Sequence, residues 1–350
     1  MSGRKIRVLI ADDSALMKII LRDIINSQPD MEVVGLASNG LEAVERCKAL
    51  KPDVITLDIE MPKMNGIEAL KRIMAENPTP VIMVNSLTEE GAAITTEALE
   101  IGAVDFVTKP GGSVSGNFRK VADELLEKIR SASRVDVTKL KSMPGRISIR
   151  KPLKSPGLGL TKKAVAIASS TGGPRSLQYV IPALPKGFPA PIFLVQHMPP
   201  TFTKSLAMRL DRDSELTVVE AGNGDKVEPG VVYVAPGDYH MGLKMESSVV
   251  KIYLDKSEKI NNVRPAADYT FDKMAEIYGG QSIGVILTGM GRDGTLGAFK
   301  IKHYGGKVIA ESKETCIVYG MPKAVVDEGY ADYVLPVHKI PEKLVELVGG

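Results

Sequence analysis

Only two cysteines and no tryptophan occur in 350 residues, and just 5% of the chain is aromatic. Cys47 and Cys316 lie far apart and fall in no metal-ligand or disulfide spacing, which excludes a disulfide-stapled scaffold or a zinc module and makes a reduced, cytoplasmic setting the expectation. No stretch approaches the ~18 consecutive apolar residues of a membrane span. The N-terminal MSGRKIRVLIADD is too short in apolar residues for a secretory signal, so neither membrane insertion nor secretion is expected. A strong excess of one charge is also missing, since 45 Lys and Arg face 42 Asp and Glu and leave +3. With 44% apolar and 25% charged residues, the chain reads as an ordinary folded protein, and its length suits about two domains at ~150 residues each.

The near balance hides one local excess. From Arg134 to Lys163 there are nine Lys or Arg and a single acid, Asp136, which leaves the remainder of the chain at −5. The same window carries Pro144, Pro152, Pro156 and Gly145, Gly157, Gly159 without apolar periodicity, and this composition marks a linker. We therefore expect one domain over 1–132, a basic linker over 133–160 and a second domain over 161–350. A basic run can grip phosphates, but solvated basic linkers are common and this one has no aromatic residue to stack on bases.

In the first domain, short apolar runs (KIRVLIA, MEVVGLA, VITL, PVIMV, VDFVT) alternate with helical patterns such as Leu16, Ile19, Ile20 and Ile24. Buried strands alternating with amphipathic helices give an α/β fold with a parallel sheet covered on both faces, and five such units make a flavodoxin-like domain. Functional groups in such a sheet gather at the carboxyl ends of the strands. There the sequence places Asp12 and Asp13 after the first strand, Asp58 after the third and Lys109 after the fifth. Three acids at neighbouring strand ends repel one another unless a cation joins them, and oxygen-only ligands suit Mg²⁺. An Asp pair alone is more often a helix cap, as Asp13 before Ser14 would be.

With the Met61-Pro62-Lys63-Met64-Asn65-Gly66 turn after Asp58, this segment resembles a response-regulator receiver domain. The resemblance implies that Asp58 accepts a phosphoryl group from a histidine kinase. It also implies that Asp12, Asp13, Asp58 and the Ile59 carbonyl hold Mg²⁺ and that Lys109 contacts the phosphoryl oxygens. One position departs from the pattern. Receivers carry Ser or Thr at the end of the fourth strand, where Asn85 stands here with Ser86 beside it, and the sequence leaves open which serves.

The second domain again alternates strands (KKAVAIA, PIFLVQ, LTVVEA, VVYVA, VVKIYL, SIGVILT, KVIAE, DYVLP) with helical stretches. A mainly parallel, doubly wound sheet is expected, with an antiparallel pair around Val231 to Leu254 at its side. The window Ala168-Ser169-Ser170-Thr171-Gly172 approximates G-x-S-x-G, in which a sharp strand-to-helix turn exposes the central hydroxyl, so Ser170 is the candidate nucleophile. The competing assignment is a helix N-cap before Pro174. A serine nucleophile needs a base. Of the four histidines, His197 directly follows the strand PIFLVQ, whereas His240 lies in a turn, His303 in a helical tail and His338 near the C-terminus. Asp293, beyond the strand SIGVILT, is the candidate third member.

A rival reading uses the same residues. Gly289-Met290-Gly291-Arg292-Asp293-Gly294 fits the dinucleotide fingerprint G-x-G-x-x-G, with Glu311 at about the spacing of a ribose-binding acid, and implies a receiver-controlled NAD-binding protein. Only about 55 residues follow it, too few for the second half of a dinucleotide site. A DNA-binding output is not expected either, because the second domain shows no helix-turn-helix pattern.

Ser170, His197 and Asp293 occur in the order Ser…His…Asp, which differs from that of α/β-hydrolases. The segments AIASSTGGPRSL, VQHMPP, VAPGDYH, NNVRPAADYTF and ILTGMGRDG closely resemble the catalytic domain of the chemotaxis methylesterases of the CheB family, apart from Ala168 in place of a glycine. The resemblance implies hydrolysis of glutamate γ-methyl esters on chemoreceptors, with deamidation of selected glutamines, by an esterase that needs no cofactor. His197 Nε2 would take the Ser170 proton, and backbone N–H groups at Thr171 and Met290 would form the oxyanion hole. With a phosphoacceptor on one domain and a nucleophile on the other, the unphosphorylated receiver is expected to pack over the Ser170 cleft and phosphorylation of Asp58 to weaken this packing.

Overall fold

The computed structural model describes residues 4–86, 88–109, 116–138 and 163–349. The chain divides into two compact units, Met1–Met143 and Pro144–Gly350. Residues 139–160, most of the expected linker, lie outside the described residues.

The first unit runs β1 (Ile6–Ala11), α1 (Ala15–Asn26), β2 (Met31–Ala37), α2 (Gly40–Leu50), β3 (Val54–Asp58), α3 (Gly66–Glu76), β4 (Val81–Asn85), α4 (Glu89–Ile101), β5 (Asp105–Thr108) and α5 (Gly116–Ala132). All strand pairs are parallel, in the order β2-β1-β3-β4-β5. This is the flavodoxin-like order, and its switch point falls between β1 and β3. The β3 and β4 side chains are buried along their whole length, which is why these strands read as unbroken apolar runs rather than as alternation.

The second unit continues with β6 (Ala164–Ser169), α6 (Gly173–Val180), β7 (Ile192–Gln196), α7 (Phe202–Asp213), β8 (Thr217–Glu220), β9 (Val231–Val234), β10 (His240–Glu246) and β11 (Val249–Asp255). It ends with α8 (Ala267–Tyr278), β12 (Ser282–Ile286), α9 (Thr295–His303), β13 (Lys307–Glu311), α10 (Met321–Asp327), β14 (Tyr333–Leu335) and α11 (Ile340–Gly349). Seven strands form a parallel sheet in the order β14-β13-β12-β6-β7-β9-β8. The expected antiparallel side element is β10 with β11 alone. The Val231 strand, expected within it, instead pairs in parallel between β7 and β8. A four-residue apolar run fits either partner, and here Val232 and Val234 fill the space beside Ile192 and Leu194 in the main sheet.

The central strands β6, β7 and β12 are buried throughout, whereas the edge strands β8 and β14 are partly exposed. Phe193 and Phe271 are fully buried in the core beneath the site. Burial of each contributes ~2–3 kcal/mol. Strand order reverses at β6 and β12, so the crevice at their carboxyl ends is where a doubly wound sheet binds its ligand. Ser170 and Gly289 lie at that crevice.

Candidate functional site

In the second unit, the turn after β6 is fixed by backbone and carboxamide bonds. Ser170 N–H donates to the Thr288 carbonyl at 3.0 Å, which extends the β6–β12 pairing by one residue. The Ser170 carbonyl accepts the Gly173 N–H at 2.7 Å and Gln196 Nε2 at 3.0 Å, and Gly172 turns the chain at φ +77°. The N-cap of α6 is Gly172, with no side-chain cap, so the cap assignment for Ser170 fails and its hydroxyl is not committed to the helix. Its neighbour Ser169 is fully buried and donates to Gln196 Oε1 at 2.7 Å, which leaves Ser170 as the half-buried hydroxyl of the pair.

Gly289 allows Ser170 to sit against β12. A Cβ there would lie 2.3 Å from Met321 Sδ and 2.8 Å from Ser170 Cβ. The methionine can move but the Ser170 Cβ is part of the turn. Gly289→Ala is therefore expected to displace Ser170 and lower activity at least about tenfold with the fold retained, read from steady-state rates alongside circular dichroism.

His197 follows β7, and its N–H donates to the Ser169 carbonyl at 3.1 Å, which places it beside the Ser170 turn. Its Nε2 lies 2.7 Å from Asp293 Oδ2. Ser170 Oγ makes no hydrogen bond to His197 among the described residues. The ring orientation differs from the expectation: Nε2, expected to face Ser170, faces Asp293 instead, and Nδ1 is the other ring nitrogen.

Asp293, 2% exposed, accepts four hydrogen bonds: His197 Nε2, Ala267 N–H at 2.6 Å, Asp268 N–H at 3.1 Å and Asn261 Nδ2 at 3.1 Å. Burial pushes its carboxyl up, but the bond and charge of His197 and the two N–H groups at the start of α8 outweigh this and hold it below the usual carboxylate value. Asp268 shows the opposite result, pushed up to about 6 by burial and by the charge of Asp293. Asn261, Asp268 and Gln196 were not singled out from the sequence.

The expected ribose acid, Glu311, is not at a ligand site. It is fully buried and accepts Thr288 N–H at 2.8 Å, Thr315 Oγ1 at 2.8 Å and Ser176 Oγ at 3.3 Å, and burial pushes its carboxyl up. Its task is to satisfy donors beneath the site, where no ribose can enter, so Glu311 is not the ribose acid of a dinucleotide site. His240 is structural as well, with Nδ1 accepting Ala266 N–H at 3.2 Å, Nε2 3.0 Å from the Glu258 carbonyl, and its ring stacked on Tyr269.

In the first unit, the carboxylates of Asp12, Asp13 and Asp58 offer ligand atoms within 4.8 Å of one another. Lys109 Nζ lies 2.6 Å from Asp58 Oδ2 and 3.3 Å from Asp12 Oδ2. Burial, helped by the Asp12 charge and opposed by Lys109, pushes Asp58 up to about 6. Burial works against the Lys109 ammonium too, yet Asp58 and Asp12 outweigh it and raise its pKa. The helix cap beside the acids is Ser14, which accepts Met17 N–H, so Asp13 is not a cap and stands exposed over the site. Three acids against one lysine, with the buried Asp12 Oδ2 lacking a hydrogen-bond partner, form a donor set that fits a hard divalent cation.

The Ile59 carbonyl, the remaining expected ligand, accepts Gly66 N–H at 2.8 Å and so is directed at the start of α3. Asn85 is buried with its amide spent on the Gly91 carbonyl at 2.8 Å and Thr95 Oγ1 at 2.9 Å, whereas Ser86 Oγ makes no hydrogen bond among the described residues.

The protein thus joins a receiver-type phosphoacceptor unit to an α/β unit whose switch point holds a serine, a histidine and a buried acid. Known families match both parts. The CheB methylesterase family matches residues 165–344 and the response regulator receiver domain family matches residues 8–115. The chain belongs to the CheB methylesterase family. It is 66% identical over 350 residues to a Thermotoga maritima protein-glutamate methylesterase/protein-glutamine glutaminase, covering 99% of this chain and 100% of that one. A Pyrococcus abyssi protein of the same name is 49% identical over 349 residues, covering 99% and 95%. The crystal structure of the Thermotoga maritima CheB methylesterase catalytic domain is similar with a TM-score of 0.53 and 70% identity, over 53% of this chain and 98% of that chain. Among the described residues, no helix is long and apolar enough to cross a membrane.

Proposed function

We propose that the chain is a phosphorylation-activated serine esterase that hydrolyses glutamate γ-methyl esters, and deamidates selected glutamines, on chemoreceptors. The observation that carries this is the 2.7 Å His197–Asp293 contact at the switch point, beside a serine that the helix does not use as its cap. Ser170 Oγ attacks the ester carbonyl while its proton passes to His197 Nδ1. Asp293 holds the ring and stabilises the imidazolium. His197 returns the proton to the departing methoxide, releasing methanol, and water then attacks the acyl-enzyme to free glutamate and restore Ser170. A primary amide in place of the ester releases ammonia by the same steps. Backbone N–H groups of Thr171 and Met290, in the two glycine-rich turns that flank Ser170, are assigned to the oxyanion, and losing one such donor lowers rates by roughly 10²–10³.

Asp58 is the phosphoacceptor, supplied by a histidine kinase. Asp12, Asp13 and Asp58 would hold Mg²⁺, which when bound neutralises phosphoryl oxygens during in-line transfer. Lys109, whose Nζ lies 2.6 Å from Asp58 Oδ2, would contact the transferred group, with Ser86 as the switch hydroxyl.

The test is methanol release from methylated receptor membranes, with and without acetyl phosphate, by the full chain and by a truncation beginning at Thr161. The full chain is expected to release methanol faster with acetyl phosphate. The truncation is expected to start higher and ignore the phosphodonor. No release by either protein would contradict the esterase, and equal basal rates would contradict inhibition by the receiver.

A further inference from the structure

Asp293 stands where two helices begin. It immediately precedes Gly294, the N-cap of α9, yet its carboxylate takes the N–H groups of Ala267 and Asp268 at the start of α8. Asp268, in the first turn of α8, does the reverse, since its Oδ1 accepts Gly297 N–H from the first turn of α9 at 2.8 Å. Each acid therefore caps the helix to which the other is attached. A single carboxamide joins them: Asn261 Nδ2 donates to Asp268 Oδ2 at 2.9 Å and to Asp293 Oδ1 at 3.1 Å. The Asn261 backbone is left-handed, at φ +52°, a conformation asparagine tolerates better than most residues.

Both carboxyls are buried, at 2% and 8% exposure, and among the described residues neither has a Lys or Arg partner. The titratable groups around them are His197, on Asp293, and His240, which accepts the Ala266 N–H just before α8. The only nearby cation on the same loop, Arg292, is turned to Glu328 at 3.1 Å. Two adjacent buried carboxylates ordinarily share a proton, because both cannot ionise without donors to separate them. Here the donors are two helix N-termini and one amide.

We propose that Asn261 and Asp268 are positioning residues for the His197–Asp293 pair, with Asn261 keeping the two carboxylates separate and ionised so that Asp293 presents its full charge to His197. The inference rests on the esterase reading of Ser170, His197 and Asp293. Burial and the charge of Asp293 already push the Asp268 carboxyl up to about 6. Losing the bridging amide removes a donor from each acid at once. Asp268 then holds its proton further into the neutral range, and a proton held on Asp268 can be shared with Asp293, which weakens the charge Asp293 presents to the imidazolium.

In the full chain, Asn261→Ala is expected to lower kcat at pH 7 at least about tenfold with KM within about twofold, and to move the acid limb of kcat/KM up by about one pH unit. Adding Asp268→Asn removes the second charge and should bring that limb back down. A loss equal at every pH, or a limb still raised in the double variant, would overturn the proposal. Carbon NMR titration of aspartate carboxyls, assigned by comparison with Asp268→Asn and Asp293→Asn, follows the same pair without turnover. If the esterase reading is wrong there is no activity to compare, yet the Asp268 step still rises in Asn261→Ala. An unmoved step would overturn this inference alone.

Discussion

Ser170→Ala is expected to lower methanol release by about 10⁵–10⁶-fold, leaving only the modest acceleration that binding and the oxyanion site supply without a nucleophile. Truncating the hydroxyl leaves the turn intact, because the turn is held by Ser170 N–H to Thr288, the Ser170 carbonyl to Gly173 and Gln196, and the buried Ser169 hydroxyl. Thermal unfolding should therefore be unchanged within about 0.5 kcal/mol while the rate collapses, which separates a chemical role from a structural one. A variant retaining more than about one-hundredth of the wild-type rate would move the nucleophile elsewhere. Ser169 is the nearest alternative, and its complete burial argues against it.

Asp58→Asn is expected to abolish incorporation of phosphate from acetyl phosphate and, with it, the whole phosphodonor-dependent increase in esterase rate. The carboxylate is the attacking group, and an amide oxygen in its place does not form the acyl phosphate. The variant also removes one of three charges that crowd the ends of β1 and β3. Mg²⁺ should then protect the first unit less against thermal unfolding than it protects wild type, which reads the cation site independently of phosphorylation. Phosphate incorporation persisting in Asp58→Asn would assign the acceptor to another residue.

Much of this was legible in the sequence, because buried parallel strands announce themselves as short apolar runs and chemistry in doubly wound sheets collects at their carboxyl ends. Asp12, Asp58 and Lys109 could be brought together from strand position alone, as could His197 and Asp293, with Ser170 at the neighbouring strand end. The Val231 strand was misplaced because four apolar residues do not encode which neighbour they pair with. The fingerprint at Gly289 to Gly294 was ambiguous for a related reason: its glycines serve close packing on Ser170 and a helix start, needs that a dinucleotide loop shares. Glu311 shows why spacing cannot assign an acid, since only burial distinguishes a ligand carboxylate from one satisfying Thr288, Thr315 and Ser176.

The face that His197 presents to Asp293 has no signature in sequence. Asn261 and Asp268 carried a weak one. An Asn-Asn pair reads as a turn, and an acid in the first turn of a helix reads as a favourable charge at a helix N-terminus. Their shared function appears only when α8 and α9 are brought end to end on Asp293.

The most direct measurement is labelling of the full chain with a fluorophosphonate, with the adduct located by peptide mass and its rate of formation followed with and without acetyl phosphate. A single adduct on Ser170 is expected, forming faster after phosphorylation in wild type and at one unchanged rate in Asp58→Asn. An adduct on another residue, or a Ser170 labelling rate indifferent to acetyl phosphate in wild type, would contradict this expectation.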